Sequence, residues 1–152
     1  MKKSEIRKKI IKLRKKNYSK NTKINFKSII KILRKKKQTK KNVGGYFSFN
    51  YEASVIPILE KFEKLNYITS IPKIGKKYDM NFFAWSINDP LNINQYGIPE
   101  PITNKIIYPD ILLVPLVAYD EDRNRIGYGG GFYDRYIKKI KKIKKVLTIG
   151  IA

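Results

Sequence analysis

The chain has 152 residues, which fits one domain of roughly 100 to 200 residues, and 42% of them are hydrophobic, enough to build a core. It has no cysteine and no histidine, which excludes a disulfide framework, a thiolate nucleophile, a histidine base and the usual zinc ligands. Any chemistry must use carboxylates, lysines, arginines or hydroxyls.

The net charge of +22 is concentrated at the N-terminus, because residues 1–41 carry +18 and residues 42–152 only +4. Such lysine runs are usually solvated faces, although they also suit anionic small molecules or nucleic acid. The sequence shows no secretory signal and no apolar run of about 18 residues. We therefore expect a cytoplasmic protein with no membrane contact.

Residues 1–41 are predicted to form a basic helical N-terminal part with two helices. Ser4 is the predicted cap of the first helix. The charged KKNVGG stretch that follows predicts a turn. Apolar residues recur at helical spacing in both helices: Ile6, Ile10 and Leu13, then Phe26, Ile29, Ile30 and Leu33.

Strands and a helix are predicted to alternate through the middle of the chain. YFSFN (46–50), YITSIPKI (67–74) and NFFAWSI (81–87) predict strands, and DPLNINQYGIPEP (89–101) predicts a connecting loop. Ser54 is the predicted cap of a helix with Pro57 in its first turn. The apolar face of that helix comprises Val55, Ile58, Leu59, Phe62 and Leu65.

Residues 110–152 predict the order strand, glycine loop, helix, strand. DILLVPLVAY is a nearly continuous apolar run, typical of a strand buried on both faces of a parallel sheet. The polar DEDRNR turn, a helix with apolar positions from Tyr133 to Ile143, and VLTIGIA follow. We therefore predict one α/β domain over residues 1–152, with a largely parallel, Rossmann-like sheet flanked by helices.

The glycine loop RIGYGGGFYDR (125–135) is expected at the carboxyl edge of that sheet, where ligands bind. Glycines let a phosphate approach backbone N–H groups, and the next helix offers its positive end. The spacing matches neither G-x-x-x-x-G-K-[ST] nor G-x-G-x-x-G. A flexible surface turn is the alternative. Arg125 can pair with phosphate, and Asp134 can either cap the helix or hold Mg²⁺.

VPLVAYDEDRNRIGYGGGFYDRY resembles the C-terminal signature of the 5-formyltetrahydrofolate cyclo-ligase family, also called methenyltetrahydrofolate synthetase. In that family a V-P strand, an acidic turn and R-[LI]-G-x-G-x-G-[YF]-Y-D occur together. Weaker matches follow the same order, so the resemblance covers nearly all of the chain: Lys3 and Arg7, Glu52, IPK (71–73), MNFFAW (80–85) and GIPEP (97–101).

The resemblance implies that ATP is a co-substrate and that Asp134 binds Mg²⁺. Arg125 and Tyr133 are the implied catalytic residues. Lys3 and Arg7 can alternatively be one more pair in a lysine-rich arm. The implied ATP-binding residues are Lys3, Arg7, Arg125, Ile126, Gly127, Tyr128, Gly129, Gly130, Gly131, Phe132 and Tyr133.

The resemblance also implies a folate pocket. A carboxylate suits the N–H donors of a pterin, and aromatic faces suit its planar ring. The alternatives are an exposed acid for Glu52 and a core aromatic for Phe47, and Tyr96 and Trp85 can also line the pocket. The implied substrate-binding residues are Phe47, Glu52, Tyr128, Gly129, Gly130, Gly131 and Phe132.

The implied reaction is the ATP-dependent cyclisation of 5-formyltetrahydrofolate, with or without a polyglutamate tail, to 5,10-methenyltetrahydrofolate with release of ADP and phosphate. The implied intermediate is a phosphorylated formyl group. Nucleic-acid binding by the basic helices is the less favoured alternative, and a non-catalytic folate- and ATP-binding relative is another.

Two departures from the family pattern affect the expectations. Tyr51 stands where many relatives carry asparagine, which affects the geometry around Glu52. Family members usually continue beyond IGIA with a further metal-associated aspartate, so we expect the chain to be C-terminally short relative to the family. Exposed sheet edges would favour a monomer of lower stability or a weak homodimer.

Overall fold

The computed structural model describes residues 1–19 and 22–152, so Lys20 and Asn21 of the predicted basic part lie outside the described residues. The helices are α1 (Lys3–Asn17), α2 (Phe26–Lys35), α3 (Ile56–Lys64) and α4 (Phe132–Ile140). The strands are β1 (Asn42–Gly44), β2 (Ile68–Ile74), β3 (Met80–Ala84), β4 (Leu91–Ile93), β5 (Pro99–Pro101), β6 (Ile106–Ile107), β7 (Ile111–Pro115), β8 (Ala118–Tyr119), β9 (Arg125–Ile126) and β10 (Leu147–Ile151).

Six of the strands form a central sheet in the order β10-β7-β1-β2-β3-β6. The first four are parallel neighbours, whereas β3 and β6 extend the sheet with antiparallel pairing. The two parallel crossovers, β1-α3-β2 and β7-α4-β10, run in opposite directions from the middle of the sheet. The predicted α/β fold with a mostly parallel sheet is confirmed.

Strand β7 supplies core residues to both faces of the sheet, as its continuous apolar run predicts. Ile111 and Leu113 pack with α2 and α3, while Leu112 and Val114 pack with α4. All four side chains are buried because neighbouring strands and helices cover the strand on every side. The helices are therefore held on opposite faces by alternating side chains of a single strand.

Strand β1 occupies the stretch for which KKNVGG predicts a turn, so that prediction is wrong. Here the glycines serve close packing: a Cβ on Gly44 would lie 2.9 Å from Leu112 and Phe82, and one on Gly45 would lie 2.7 Å from Leu59. Glycine is thus needed to bring the central strand against its neighbours, which its turn propensity does not reveal.

The strand predicted over residues 46–50 is also wrong. These residues form an irregular loop after β1, and both Asn50 and Tyr51 have a positive φ, which ends extended structure. The loop aromatics Tyr46, Phe47 and Phe49 line a cleft, and Tyr46 and Phe47 also pack against the core. The connection predicted at 89–101 is instead the antiparallel hairpin β4–β5, with Leu91 opposite Pro101.

Helix α1 begins at Lys3, so the predicted cap at Ser4 is wrong. Lys2 is the residue that precedes the helix, and its backbone N–H donates to Glu5 Oε2 at 3.0 Å. This bond satisfies a backbone donor that would otherwise be unpaired at the start of the helix. The helix before β2 begins at Ile56, whose N–H donates to Ser54 Oγ at 3.3 Å. None of the helices in the described part of the chain is long and apolar enough to cross a bilayer.

Candidate active site

The reversal of strand order between β1 and β7 determines where a ligand site can form. The crossovers from these two neighbours run to opposite sides, so the segments that follow them separate and leave a crevice at their carboxyl ends. One wall consists of the loop after β1, and the other consists of the segment from Pro115 to α4. This position explains why residues distant in sequence meet here.

A cleft of about 360 Å³ occupies this crevice. The glycine loop and the start of α4 line one side, and the aromatic loop after β1 lines another. The β4–β5 hairpin and the ends of β2 and β3 complete it. Its main contributors are Arg7, Tyr46, Phe47, Phe49, Glu52, Met80, Tyr96, Ile98, Pro115, Arg125 and residues 127–134.

Two glycines of the loop have backbone conformations that other residues rarely adopt. Gly129 has φ +109° and Gly131, immediately before α4, has φ +69°. A Cβ on Gly131 would lie 2.8 Å from Arg135 Nη1. The loop is therefore built so that bare backbone faces the cleft at the N-terminus of α4, an arrangement that favours anions.

Helix α1 is attached to the glycine loop through two arginines seven residues apart. Arg7 Nε donates to the Gly127 carbonyl at 2.7 Å, and its guanidinium lies beside Gly129. Arg14 Nη1 donates to Tyr128 Oη at 3.1 Å. A spacing of seven puts both side chains on one helix face, so α1 closes the cleft although none of its residues is fully buried.

Arg125 forms an ion pair with Asp134 across the loop. The arginine side chain is 22% exposed, whereas the aspartate side chain is 76% exposed and faces solvent at the cleft. Asp134, in the first turn of α4, thus pairs with the Arg125 guanidinium through Oδ1. Its other carboxylate oxygen is left for a ligand. Apart from residues 20 and 21, no group of three or more carboxylate, histidine or cysteine side chains is arranged to hold a metal.

Glu52 is a buried carboxylate on the opposite wall, only 7% exposed. Burial raises its pKa from 4.5 to about 7, and three groups counteract part of that rise. The Phe49 N–H donates to Oε2 at 2.7 Å, and the nearby Tyr128 hydroxyl and the Arg14 charge also favour the ionised carboxylate. Glu52 therefore changes charge near neutral pH.

Tyrosine hydroxyls surround this carboxylate. Burial raises the pKa of Tyr46, Tyr128 and Tyr133, and the nearby Glu52 charge raises them further. These phenols remain neutral at ordinary pH and can donate or accept hydrogen bonds. The interior of the cleft thus combines aromatic faces with one carboxylate of adjustable charge.

Most of the residues predicted from the sequence line this single cleft, including Arg7, Phe47, Glu52, Arg125 and Asp134. Phe47 also packs edge-on against buried Trp85, with ring centroids 5.5 Å apart. Phe47 therefore both lines the cleft and packs against the core. Tyr96 lines the cleft and Trp85 does not. Lys3 and Ile126 lie outside the lining residues. The binding and catalytic roles of all these residues stay predictions.

Sequence reasoning missed Arg14 and the β4–β5 hairpin. The spacing of Arg14 from Arg7 is a signal that could have identified it, but the surrounding lysines obscured that signal. Glu100 attaches the hairpin to the sheet, because its Oε1 accepts from the Ile74 N–H and from Asn94 Nδ2, each at 2.9 Å. No local pattern predicts that contact.

A model of the 5-formyltetrahydrofolate cyclo-ligase family matches residues 1–152. The chain belongs to this family. It is 34% identical over 119 residues to the 5-formyltetrahydrofolate cyclo-ligase of Haemophilus influenzae and 34% identical over 115 residues to that of Mycoplasma genitalium. The solution structure of Aquifex aeolicus 5,10-methenyltetrahydrofolate synthetase is similar over the whole chain, with 28% identity and a TM-score of 0.73.

These relatives are longer than the matched region. The match covers 74% of this chain and 63% of the Haemophilus protein, and 75% of this chain and 60% of the Mycoplasma genitalium protein. The Aquifex aeolicus structure is covered to 78% of its length. The family and the fold therefore apply to this chain, while an activity of the longer proteins needs its own argument.

Proposed function

We propose that the chain catalyses the ATP-dependent cyclisation of 5-formyltetrahydrofolate to 5,10-methenyltetrahydrofolate with release of ADP and phosphate. The observation that carries the proposal is the composition of one cleft: a glycine loop with arginines at a helix N-terminus faces a buried carboxylate among aromatic rings. A reaction that joins a polyphosphate and a planar heterocycle needs both surfaces within reach of one another.

The glycine loop, Arg7 and Arg125 are the proposed phosphate-binding end of the cleft. The left-handed backbone at Gly129 and Gly131 leaves room for close approach, and the N-terminus of α4 favours negative charge. Arg125 can exchange its contact with Asp134 for a phosphate oxygen, because both partners lie at the cleft. Such fixed positive groups stabilise a transferring phosphoryl group.

Asp134 is the proposed contact for Mg²⁺. One exposed carboxylate beside the glycine loop fits this ion, since Mg²⁺ usually binds through one or two carboxylates together with substrate phosphates. When bound, the ion supplies charge neutralisation to the phosphates. The protein's own part is to direct the Asp134 carboxylate and the Arg125 guanidinium to the same end of the cleft.

Glu52 and the surrounding aromatics are the proposed pterin-binding end. An ionised Glu52 has lone pairs left for ligand N–H groups after accepting from the Phe49 N–H. Phe47, Tyr128 and Phe132 line the same cleft and offer faces for a planar ring. The reacting formyl group would then lie between this end and the glycine loop.

The chemistry proposed there needs no protein nucleophile. The γ-phosphoryl group passes from ATP to the formyl oxygen and ADP leaves. The second folate nitrogen then attacks the activated carbon and gives up its proton to solvent, and phosphate departs with the formyl oxygen. Positioning and charge stabilisation supply most of the catalysis in such transfers. A chain without histidine or cysteine suits this reaction.

The direct test is a spectrophotometric assay of methenyl product with purified protein, 5-formyltetrahydrofolate, ATP and Mg²⁺. We expect ATP-dependent formation of product by wild type. In Asp134→Asn we expect kcat/KM to fall by about 10- to 100-fold. Asp122→Asn, in the exposed turn before the loop, is the matched control and should retain wild-type activity. A folded wild type that forms no product would overturn the proposal.

Further features of the proposal rest on sequence alone. A polyglutamate tail on the folate would suit the lysine-rich surface. A cytoplasmic location and a monomeric or weakly dimeric state remain predictions, to be tested by fractionation and by sedimentation of the purified protein.

A further inference from the structure

Helix α1 has little apolar packing to hold it in place. None of its 15 residues, all of which the structure describes, is buried. A second cavity of about 310 Å³ lies between the helix and the loop after β1, lined by Ile10 and Leu13 on one side and by Tyr51 and Ser54 on the other. Tyr18, just after the helix, packs edge-on against Tyr51 with ring centroids 5.5 Å apart. Polar contacts must therefore contribute much of what fixes the position of α1.

Arg14 attaches α1 to the sheet through three hydrogen bonds. Its Nη2 donates to the Leu116 carbonyl at 2.7 Å and to the Val117 carbonyl at 3.1 Å, and its Nη1 donates to Tyr128 Oη at 3.1 Å. Leu116 and Val117 are buried, and their own N–H groups donate to carbonyls of β10 and β9. Two carbonyls held by the strands thus fix the guanidinium in one orientation.

The effect of this attachment is felt two helical turns away, at Arg7. Seven residues of α-helix rise about 10.5 Å and return to the same face of the helix. From there Arg7 Nε donates to the Gly127 carbonyl at 2.7 Å, and its guanidinium lies beside Gly129. Arg7 lines the cleft, whereas Arg14 does not. A displacement of α1 would thus move Arg7 away from the glycine loop.

We infer that Arg14 is a positioning residue for the nucleotide: by binding the carbonyls of Leu116 and Val117, it fixes α1 on the sheet and so holds Arg7 beside the glycine loop. This inference rests on the proposed function, in which Arg7 and that loop bind the phosphates of ATP. Because Arg14 lies outside the cleft lining, its effect on the nucleotide passes through Arg7. A guanidinium suits this role, since its planar fork offers several donors in one fixed arrangement.

Two simpler roles for Arg14 make different predictions. If Arg14 served only to satisfy two carbonyls, its loss would lower the free energy of unfolding, and the folded variant would bind ATP as wild type does. If it acted only through its charge, Lys15→Met would weaken ATP binding equally. Arg14→Lys keeps the charge, but an ammonium cannot reproduce the fixed geometry of the guanidinium.

The experiment measures equilibrium binding of ATP with Mg²⁺ to wild type, Arg14→Met, Arg14→Lys, Arg7→Met and the double variant Arg7→Met with Arg14→Met, each shown by circular dichroism to be folded. We expect Arg14→Met to bind ATP about tenfold more weakly, Arg14→Lys to lie between it and wild type, and affinity for 5-formyltetrahydrofolate to change little. The double variant should bind no more weakly than the weaker single variant, because Arg14 acts through Arg7. Lys15→Met, an exposed site on α1, is the control and should bind ATP as wild type does.

A second measurement needs no ligand and separates the inference from the proposed function. Hydrogen exchange of the free protein, followed by mass spectrometry of peptides that cover α1, reports how firmly the helix is attached. Faster exchange in Arg14→Met than in wild type and Lys15→Met supports the inference, and Arg14→Lys gives the same comparison should Arg14→Met fail to fold. Unchanged exchange, unchanged ATP affinity or additive losses in the double variant overturn it. A wild type whose α1 is protected as expected but that binds no ATP overturns the proposed function instead.

Discussion

Gly127 and Gly129 are two residues apart in the same loop, yet their backbones have different requirements. Gly129 has φ +109°, and a Cβ there would meet the Arg7 guanidinium at an ordinary distance of 3.6 Å. Gly127 has no positive φ, and a Cβ there would meet nothing within 4 Å. Position 129 therefore requires glycine because of its backbone conformation. Position 127 does not require glycine for folding.

Replacing these glycines by alanine should thus give unequal costs. We expect Gly129→Ala to lower the free energy of unfolding by about 1–3 kcal/mol, the usual range for a residue forced into a sparsely populated backbone region. Gly127→Ala should change it by less than about 0.5 kcal/mol. Urea unfolding of both variants provides the measurement. Equal losses would show that the loop does not require the backbone seen at Gly129.

Glu52 makes stability depend on pH in a direction opposite to most carboxylates. Its pKa is about 7 in the folded chain and 4.5 without burial, so the folded state binds the proton more tightly. The stabilising contribution of the protonated acid is present below about pH 4.5 and is lost as pH rises through about 7. A buried carboxylate that costs stability when charged is consistent with a ligand-binding role.

The variant Glu52→Gln removes this dependence. Between about pH 5 and about pH 8, the free energy of unfolding of wild type should fall relative to that of Glu52→Gln by about 2–3 kcal/mol. Denaturant unfolding at several pH values measures the difference. A constant difference across that range would mean that Glu52 is ionised with an ordinary pKa in the folded protein.

At the scale of elements, the Glu100 side chain helps to hold the β4–β5 hairpin in position. Glu100 Oε1 accepts from the Ile74 N–H and from Asn94 Nδ2, which connects the hairpin to the end of β2. The Asn94 Oδ1 atom in turn accepts from the N–H groups of Tyr96 and Ile98 at 2.8 and 3.0 Å. The turn that carries cleft residues is thus ordered by two polar side chains.

Glu100→Ala should loosen this hairpin, because the half-buried Ile74 N–H loses its acceptor at a cost of about 1–3 kcal/mol. We expect faster hydrogen exchange at the Ile74 amide and folate binding weakened several-fold. Glu100→Gln keeps an acceptor oxygen in nearly the same shape, so it should retain most of the protection. Exchange that is unchanged in Glu100→Ala would show that the hairpin is held by other contacts.

The sequence predicted elements whose burial pattern is regular and missed those defined by distant contacts. The run at Ile111–Pro115 and the helical spacing of α2, α3 and α4 reflect burial along one element, which local pattern reports directly. Strand β1 ends at Gly44 and is followed by Gly45, and the role of both glycines is close packing against Leu112, Phe82 and Leu59. Turn propensity is a local property and cannot report such a contact.

The same distinction applies to the site. The glycine loop is contiguous, so its motif and the resemblance it carries locate that wall from sequence. Arg14 contacts the glycine loop only because α1 packs across residues more than 100 positions away, as its contacts with Leu116 and Tyr128 show. Even the direction of the Arg125 side chain, toward Asp134, depends on how the loop folds.

At the scale of the whole molecule, positive charge is excessive and unevenly distributed. The chain carries a net charge of +22, of which residues 1–41 contribute +18. Like charges at this density repel one another in the compact state more than in the expanded one. Helix α2 adds exposed lysines at 27, 31 and 35 while contributing no residue to the cleft lining. Its charge is therefore separable from the proposed chemistry.

Salt should stabilise the folded chain. Raising NaCl from about 0.01 M to about 1 M shortens the screening length from about 30 Å to about 3 Å, which suppresses repulsion between the lysines. We expect Tm to rise by several degrees over this range. The rise should be smaller in the triple variant Lys27→Gln, Lys31→Gln and Lys35→Gln, because three of the repelling charges are removed. Glutamine is chosen because its helix propensity is similar to that of lysine. Differential scanning calorimetry gives both values. The variant should keep wild-type affinity for ATP and 5-formyltetrahydrofolate, because the proposed ligand contacts Arg7, Arg125 and Glu52 are unchanged. A Tm that is flat or falls with salt would mean that the lysines are already compensated in the folded state.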